Sequence, residues 1–127
     1  MYTLKVREHF DAAHHLNGYE GKCARVHGHR WVVEVEVVGS ELDEVGMVRD
    51  FGELRAILLS ILPDHMDVNE VYSDMNPTAE NLARVFYEQM KARVSETAAV
   101  TVWETPECSC RYEPTTNESD CCRGRRC

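Results

Sequence analysis

Residues 27–38 read His-Gly-His-Arg-Trp-Val-Val-Glu-Val-Glu-Val-Val. Trp31, Val33, Val35 and Val37 fall on odd positions, and Arg30, Glu34 and Glu36 on even ones. A period of two is the signature of a strand with one face in the core. His27 and His29 share the odd parity, so both imidazoles point to the valine side. Two imidazoles at the end of an apolar face are costly unless something binds them.

The same reading applied to residues 2–14 predicts a second strand. Tyr2, Leu4, Val6, Glu8, Phe10, Ala12 and His14 form one face, and Thr3, Lys5, Arg7, His9, Asp11, Ala13 and His15 the other. Parity selects His14 over His15 as a companion for His27 and His29, because His14 continues the face of Phe10 and Ala12. Pairing the two strands lets His14, His27 and His29 converge. Three neutral imidazoles suit a zinc ion with one open position. His9 lies on the polar face and is read as an ordinary surface histidine.

Between the strands lies a loop, LNGYEGK, and then Cys23, four residues before His27. Cys23 has two readings. As a fourth ligand it would close a structural site; as a free thiolate beside an open zinc it would be a base or nucleophile. Spacing does not choose between them.

Beyond the strands, Asp50 followed by Glu53 is a capping box. Phe51, Leu54, Ile57, Leu58, Ile61 and Leu62 then form a helical stripe, ending near Pro63. A long polar linker, PDHMDVNEVYSDM, follows, and its length suggests function. NPTAEN opens a second helix, capped by Asn76 or Thr78, with Leu82, Val85, Phe86 and Met90 on its buried side. AAVTVWET and CSCRYE read as third and fourth strands. The order ββααββ predicts an α+β fold, an antiparallel sheet with two helices on one face.

Two further features favour chemistry over a closed metal site. Ala98, Val100, Val102 and Glu104 share a strand face, so a carboxylate ends an apolar stripe. It needs a partner, either a cation or capped helix, or a ligand offering two parallel N–H bonds, such as an aminopyrimidine. The linker also places Asp64 beside His65, and next to a thiolate such a pair is a plausible proton relay.

The bulk numbers are those of a globular protein. The chain has 127 residues, 43% apolar and 28% charged, with a net charge of −8. One domain over residues 1–114 is expected. The charge argues against a nucleic-acid partner but leaves room for a phosphorylated small molecule. No apolar run approaches the roughly 18 residues of a membrane span, so no membrane partner is expected. The alternating start is unlike a secretory signal, so a cytoplasmic location is expected and the six cysteines do not suggest a disulfide framework. Residues 115–127, TTNESDCCRGRRC, lack periodicity, and disorder is expected there. Cys121, Cys122 and Cys127 lack the paired spacing of a zinc motif.

FDAAH, C-x-x-x-H-G-H, VRDFGEL, DH with a following Asn, NPTAEN and VWET occur in this order across residues 2–113. Together they resemble the 6-pyruvoyl-tetrahydropterin synthase family. The three-residue gap between Cys23 and H-G-H resembles its 6-carboxy-5,6,7,8-tetrahydropterin synthase branch, of queuosine and 7-deazapurine biosynthesis; the pyruvoyl branch has a longer gap. A folate-type branch carries a glutamate next to the cysteine, where this chain has Ala24.

The resemblance implies a tunnelling fold whose sheets close into a barrel, with trimers stacked as a homohexamer. It implies conversion of 7,8-dihydroneopterin triphosphate to 6-carboxytetrahydropterin, acetaldehyde and triphosphate. It implies His14, His27 and His29 as zinc ligands, Cys23 as catalytic thiol, Asp64 and His65 as its relay, and Glu104 as pterin anchor. In the family the thiol and zinc face the Asp–His pair of a neighbouring subunit. This chain departs at His15, where relatives often carry Arg, leaving Lys22, Arg25 and Arg30 as candidates for the triphosphate. The rival expectations are pyruvoyl synthase activity and a zinc-stabilised binding module without catalysis.

Overall fold

The computed structural model describes residues 1–115; the expectations for the cysteine-rich tail lie outside the described residues. Strands β1 (Tyr2–His14) and β2 (His27–Gly39) pair antiparallel along their whole length, with Phe10 opposite Trp31 and His14 opposite His27. Strand β4 (Thr97–Thr105) pairs with β2, and β5 (Cys108–Tyr112) with β4. A short parallel strand, β3 (Met66–Asp67), adds to the free edge of β1, giving the order β3-β1-β2-β4-β5. The expected α+β sheet is therefore present, with one strand more than the periodicity foretold.

Helices α1 (Phe51–Ile61) and α3 (Ala79–Arg93) pack on one face of the sheet. Asp50 caps α1 by accepting from the N–H groups of Gly52 and Glu53. Thr78, not Asn76, caps α3, accepting from Asn81 N–H. Between them Val68–Val71 form a single turn of helix, α2. The core comprises Val6, Phe10, Trp31, Val33 and Val35 from the sheet, met by Leu54, Leu58, Leu82, Phe86 and Met90 from the helices. Phe10 stacks on Trp31 and meets Phe86 edge-on. Removing either ring would cost about 3–5 kcal/mol.

Two asparagines tie the helix linker to the end of β1. The Asn69 side chain accepts from His15 N–H and donates to His15 C=O; Asn76 does the same for Asn17. Each amide acts as a strand partner for one residue, so the chain leaving β1 is satisfied although no strand pairs with it there. The linker thus works as a strap.

The face away from the helices is polar but not fully solvated. Glu34 and Glu36 are only 6% and 8% exposed. Arg7 donates to Glu34 while lying over the Trp103 ring, and Arg111 forks onto Glu36. The arginine stems cover the carboxylates they neutralise.

Candidate metal centre and active site

The full register of β1 on β2 brings His14, His27 and His29 together on the core face, with ring centroids 4.5–5.1 Å apart. Trp31 forms the floor, 4.7 Å from His14 and 5.3 Å from His29. His14 is fully buried. Its Nδ1 lies 2.9 Å from the Pro77 carbonyl, and His27 Nδ1 lies 2.6 Å from the Arg25 carbonyl. A carbonyl can only accept, so both rings carry their proton on Nδ1 and turn the Nε2 lone pair inward. The Nε2 atoms of all three histidines are buried and have no hydrogen-bond partner among the described residues. Burial holds His14 and His29 below the ordinary histidine pKa, against the opposing pull of Glu104. Neutral imidazoles are the form that binds a metal.

Glu104 is the fourth member of the cluster. Its Oε1 stands 3.1 Å from His14 Nε2 and 3.3 Å from His29 Nε2, and the four ligand atoms lie within 4.8 Å of one another. Three orphaned imidazole nitrogens with a carboxylate fit a divalent transition metal of the zinc type. Cys23 does not belong to this cluster.

The thiol sits next door. Residues Lys22–Ala24 form a 3₁₀ turn, held to the segment just after β1 by Leu16 N–H on the Cys23 carbonyl at 2.9 Å. Gly21 enters the turn at φ 148°, where a Cβ would come within 3.0 Å of the Tyr19 ring. Cys23, which forms no disulfide among the described residues, shares a cavity of about 300 Å³ with Lys22, His27 and His29.

A larger cavity, about 540 Å³, opens where β2 and β4 splay. Their pairing stops at Val32 and Trp103, and beyond it His29 and Arg30 on one strand and Glu104 and Thr105 on the other line the cavity. Its volume is that of a small-molecule site. Glu104 faces both this space and the histidines.

Asp64 and His65 stand elsewhere. His65 Nδ1 is 2.9 Å from Asp64 Oδ2, and the side chains are 79% and 53% exposed. His65 takes a left-handed conformation, φ 58°, which costs a residue with a Cβ roughly 1–3 kcal/mol. His65 lines an open cavity with Asp11, His29, Arg30 and Met66, on the β3 edge of the sheet. Cys23 is not among the residues lining that cavity, although His29 borders both. Of the three cations considered for the triphosphate, Lys22 lines the thiol cavity. Arg30 is engaged by Asp11 through two hydrogen bonds, and Arg25 has no acidic partner among the described residues.

The chain belongs to the 6-pyruvoyl tetrahydropterin synthase family, whose profile matches residues 3–115. It is 37% identical to a 6-carboxy-5,6,7,8-tetrahydropterin synthase of Synechocystis sp., covering 88% of this chain and 93% of that one. To the Haemophilus influenzae protein of the same name it is 29% identical, over 89% and 99%. The 6-pyruvoyl tetrahydropterin synthase structure of Caenorhabditis elegans superposes with a TM-score of 0.79 at 29% identity, covering 90% and 96%. The architecture is the tunnelling fold of that family.

Proposed function

We propose that the protein is a zinc-dependent 6-carboxytetrahydropterin synthase. It would convert 7,8-dihydroneopterin triphosphate and one water to 6-carboxy-5,6,7,8-tetrahydropterin, acetaldehyde and triphosphate. The observation that carries this reading is the set of three buried, unpartnered Nε2 atoms beside a free thiol that is not one of the ligands. The names of the bacterial relatives and the three-residue gap after Cys23 support the carboxy product over the pyruvoyl one.

His14, His27 and His29 would hold the metal. Bound there, zinc supplies Lewis acidity toward the hydroxyls of the substrate side chain. Glu104 accepts N–H bonds from the pterin edge inside the splayed cavity, a pairing strengthened by partial exclusion of water. Cys23 takes and returns protons at the side-chain carbons next to the metal. Asp64 orients His65, which passes those protons on. The reading has the dyad and the thiol meet across a subunit boundary, as when sheets close edge to edge into a ring. A homohexamer in the cytoplasm is the setting the reading supposes.

The test is product analysis of zinc-loaded protein given 7,8-dihydroneopterin triphosphate. Stoichiometric acetaldehyde with 6-carboxytetrahydropterin is the expected result. Triphosphate release with a pyruvoyl product and no acetaldehyde would move the chain to the pyruvoyl activity, and no turnover would leave a metal-stabilised binding module.

A further inference from the structure

Arg30 is a basic residue that the substrate triphosphate could recruit, yet its surroundings give it other work. Arg30 Nε and Nη2 donate to the two carboxylate oxygens of Asp11 at 2.9 and 3.0 Å. The main chain of Asp11 in turn holds the dyad. Its N–H donates to Asp64 Oδ1 at 2.9 Å, and its C=O accepts from His65 N–H at 2.7 Å. These two bonds sit where His65 has its left-handed backbone, immediately before β3 pairs with β1 at Ala12 and Ala13. Asp11 therefore grips Asp64 and His65 by its backbone while Arg30 grips Asp11 by its side chain.

We infer that Arg30 and Asp11 are a positioning pair for the Asp64–His65 relay, and that Arg30 is not a triphosphate ligand. This rests on the relay reading above. A bidentate fork fixes the Asp11 side chain in one orientation, which a lysine cannot reproduce. The pair also neutralises a carboxylate that would otherwise face His65, since the ligand atoms of Asp11, Asp64 and His65 lie within 4.8 Å of one another. The charged groups around His65 are Asp64 on its own loop, Asp11 on β1 with His9 near it, Arg30 on β2 and Asp67 on β3.

The experiment uses full-length, zinc-loaded protein with ¹⁵N-labelled histidine, the His65 signal being assigned with His65→Ala. Arg30→Met, Arg30→Lys and Asp11→Asn are compared by NMR titration of His65 and by kcat and KM against pH. Arg30 is largely exposed and Asp11 partly so, so the fold should survive the changes. Arg30→Met should raise the His65 midpoint by about 0.6 of a pH unit, roughly a fourfold gain in proton affinity, the effect of uncovering one carboxylate at such a distance in a water-like dielectric. Arg30→Met and Asp11→Asn should both lower kcat with KM little changed, and Arg30→Lys should restore the midpoint but not kcat. The double variant Arg30→Met with Asp11→Asn should return the midpoint to its native value. A triphosphate ligand predicts the reverse: Arg30→Met raises KM, Asp11→Asn frees Arg30 and does not, and the His65 signal stays put. An unmoved His65 signal overturns the inference whatever the kinetics. Should His65→Ala itself turn over normally, the relay reading fails, and the inference with it, independently of the Arg30 result.

Discussion

Replacing Cys23 or His27 with alanine separates a thiol that does chemistry from one that holds metal. A metal that binds only the folded protein stabilises it by RT ln(1 + [L]/Kd), about 4 kcal/mol when free zinc is a thousand times Kd. For a chain of this size that is a rise of about 15 °C in Tm. Three histidines present orphaned Nε2 atoms and the thiol stands outside the cluster. Cys23→Ala should therefore keep nearly the whole zinc-induced shift and lose turnover, while His27→Ala loses most of the shift and all turnover. His14→Ala should also lower the Tm of the metal-free protein, because it leaves the Pro77 carbonyl without its buried donor, at a cost of about 1–3 kcal/mol. The assay is thermal unfolding with and without zinc, beside metal analysis of the dialysed proteins. Equal loss of the zinc shift in Cys23→Ala and His27→Ala would make Cys23 a ligand and refute the argument.

Glu104→Ala should weaken pterin binding by about 2 kcal/mol or more, roughly 30-fold; fluorescence titration at verified zinc occupancy measures it, and unchanged affinity would remove the anchor role. Cys23→Ala and His65→Ala subunits, unfolded together and reassembled one to one, should recover roughly a quarter of native activity, since a heterologous interface pairs intact halves at that frequency. Mixed oligomers with no gain would place each site within one chain. Arg111, ahead of burial, holds the Glu36 carboxyl below its ordinary value. The stability this pair contributes is present above the unfolded carboxyl pKa and is lost as pH falls through the lowered one. Arg111→Met should cost about 1 kcal/mol at pH 7, discounted for the exposure of the guanidinium, and progressively less as pH falls below the ordinary carboxylate range, by denaturant titration.

Strand parity carried most of the metal centre. It separated His14 from His15 and put Glu104 at the end of an apolar strand face, because two-residue periodicity is a rigid property of an extended chain. The apolar stripes likewise marked α1 and α3. Strand β3 and helix α2 were not legible: two residues have no period, and one turn has no stripe. The grip of Asp11 on Asp64 and His65 was equally hidden, since it uses the N–H and C=O that every residue but proline has. Parity placed Glu34 and Glu36 opposite the valines but said nothing of their burial, which comes from Arg7 and Arg111, the latter 75 residues away from Glu36 in sequence. The convergence of Glu104 on His14 and His29 needed the splay of β2 from β4, which no pattern in either strand encodes.

All three histidines lie on a single hairpin, and an excised peptide of residues 1–39 would contain every one of them. The proton on one ring is nevertheless fixed by Pro77, 63 residues downstream, at the far end of the strap that Asn69 and Asn76 lace to β1. During folding the hairpin can zip early, but a chelate with all its supports exists only after the linker has docked. Outer supports of this kind are typically worth ten- to a hundredfold in metal affinity. Zinc capture would then serve as a clock for the final stage of assembly, and chain released before that stage would compete poorly for the ion.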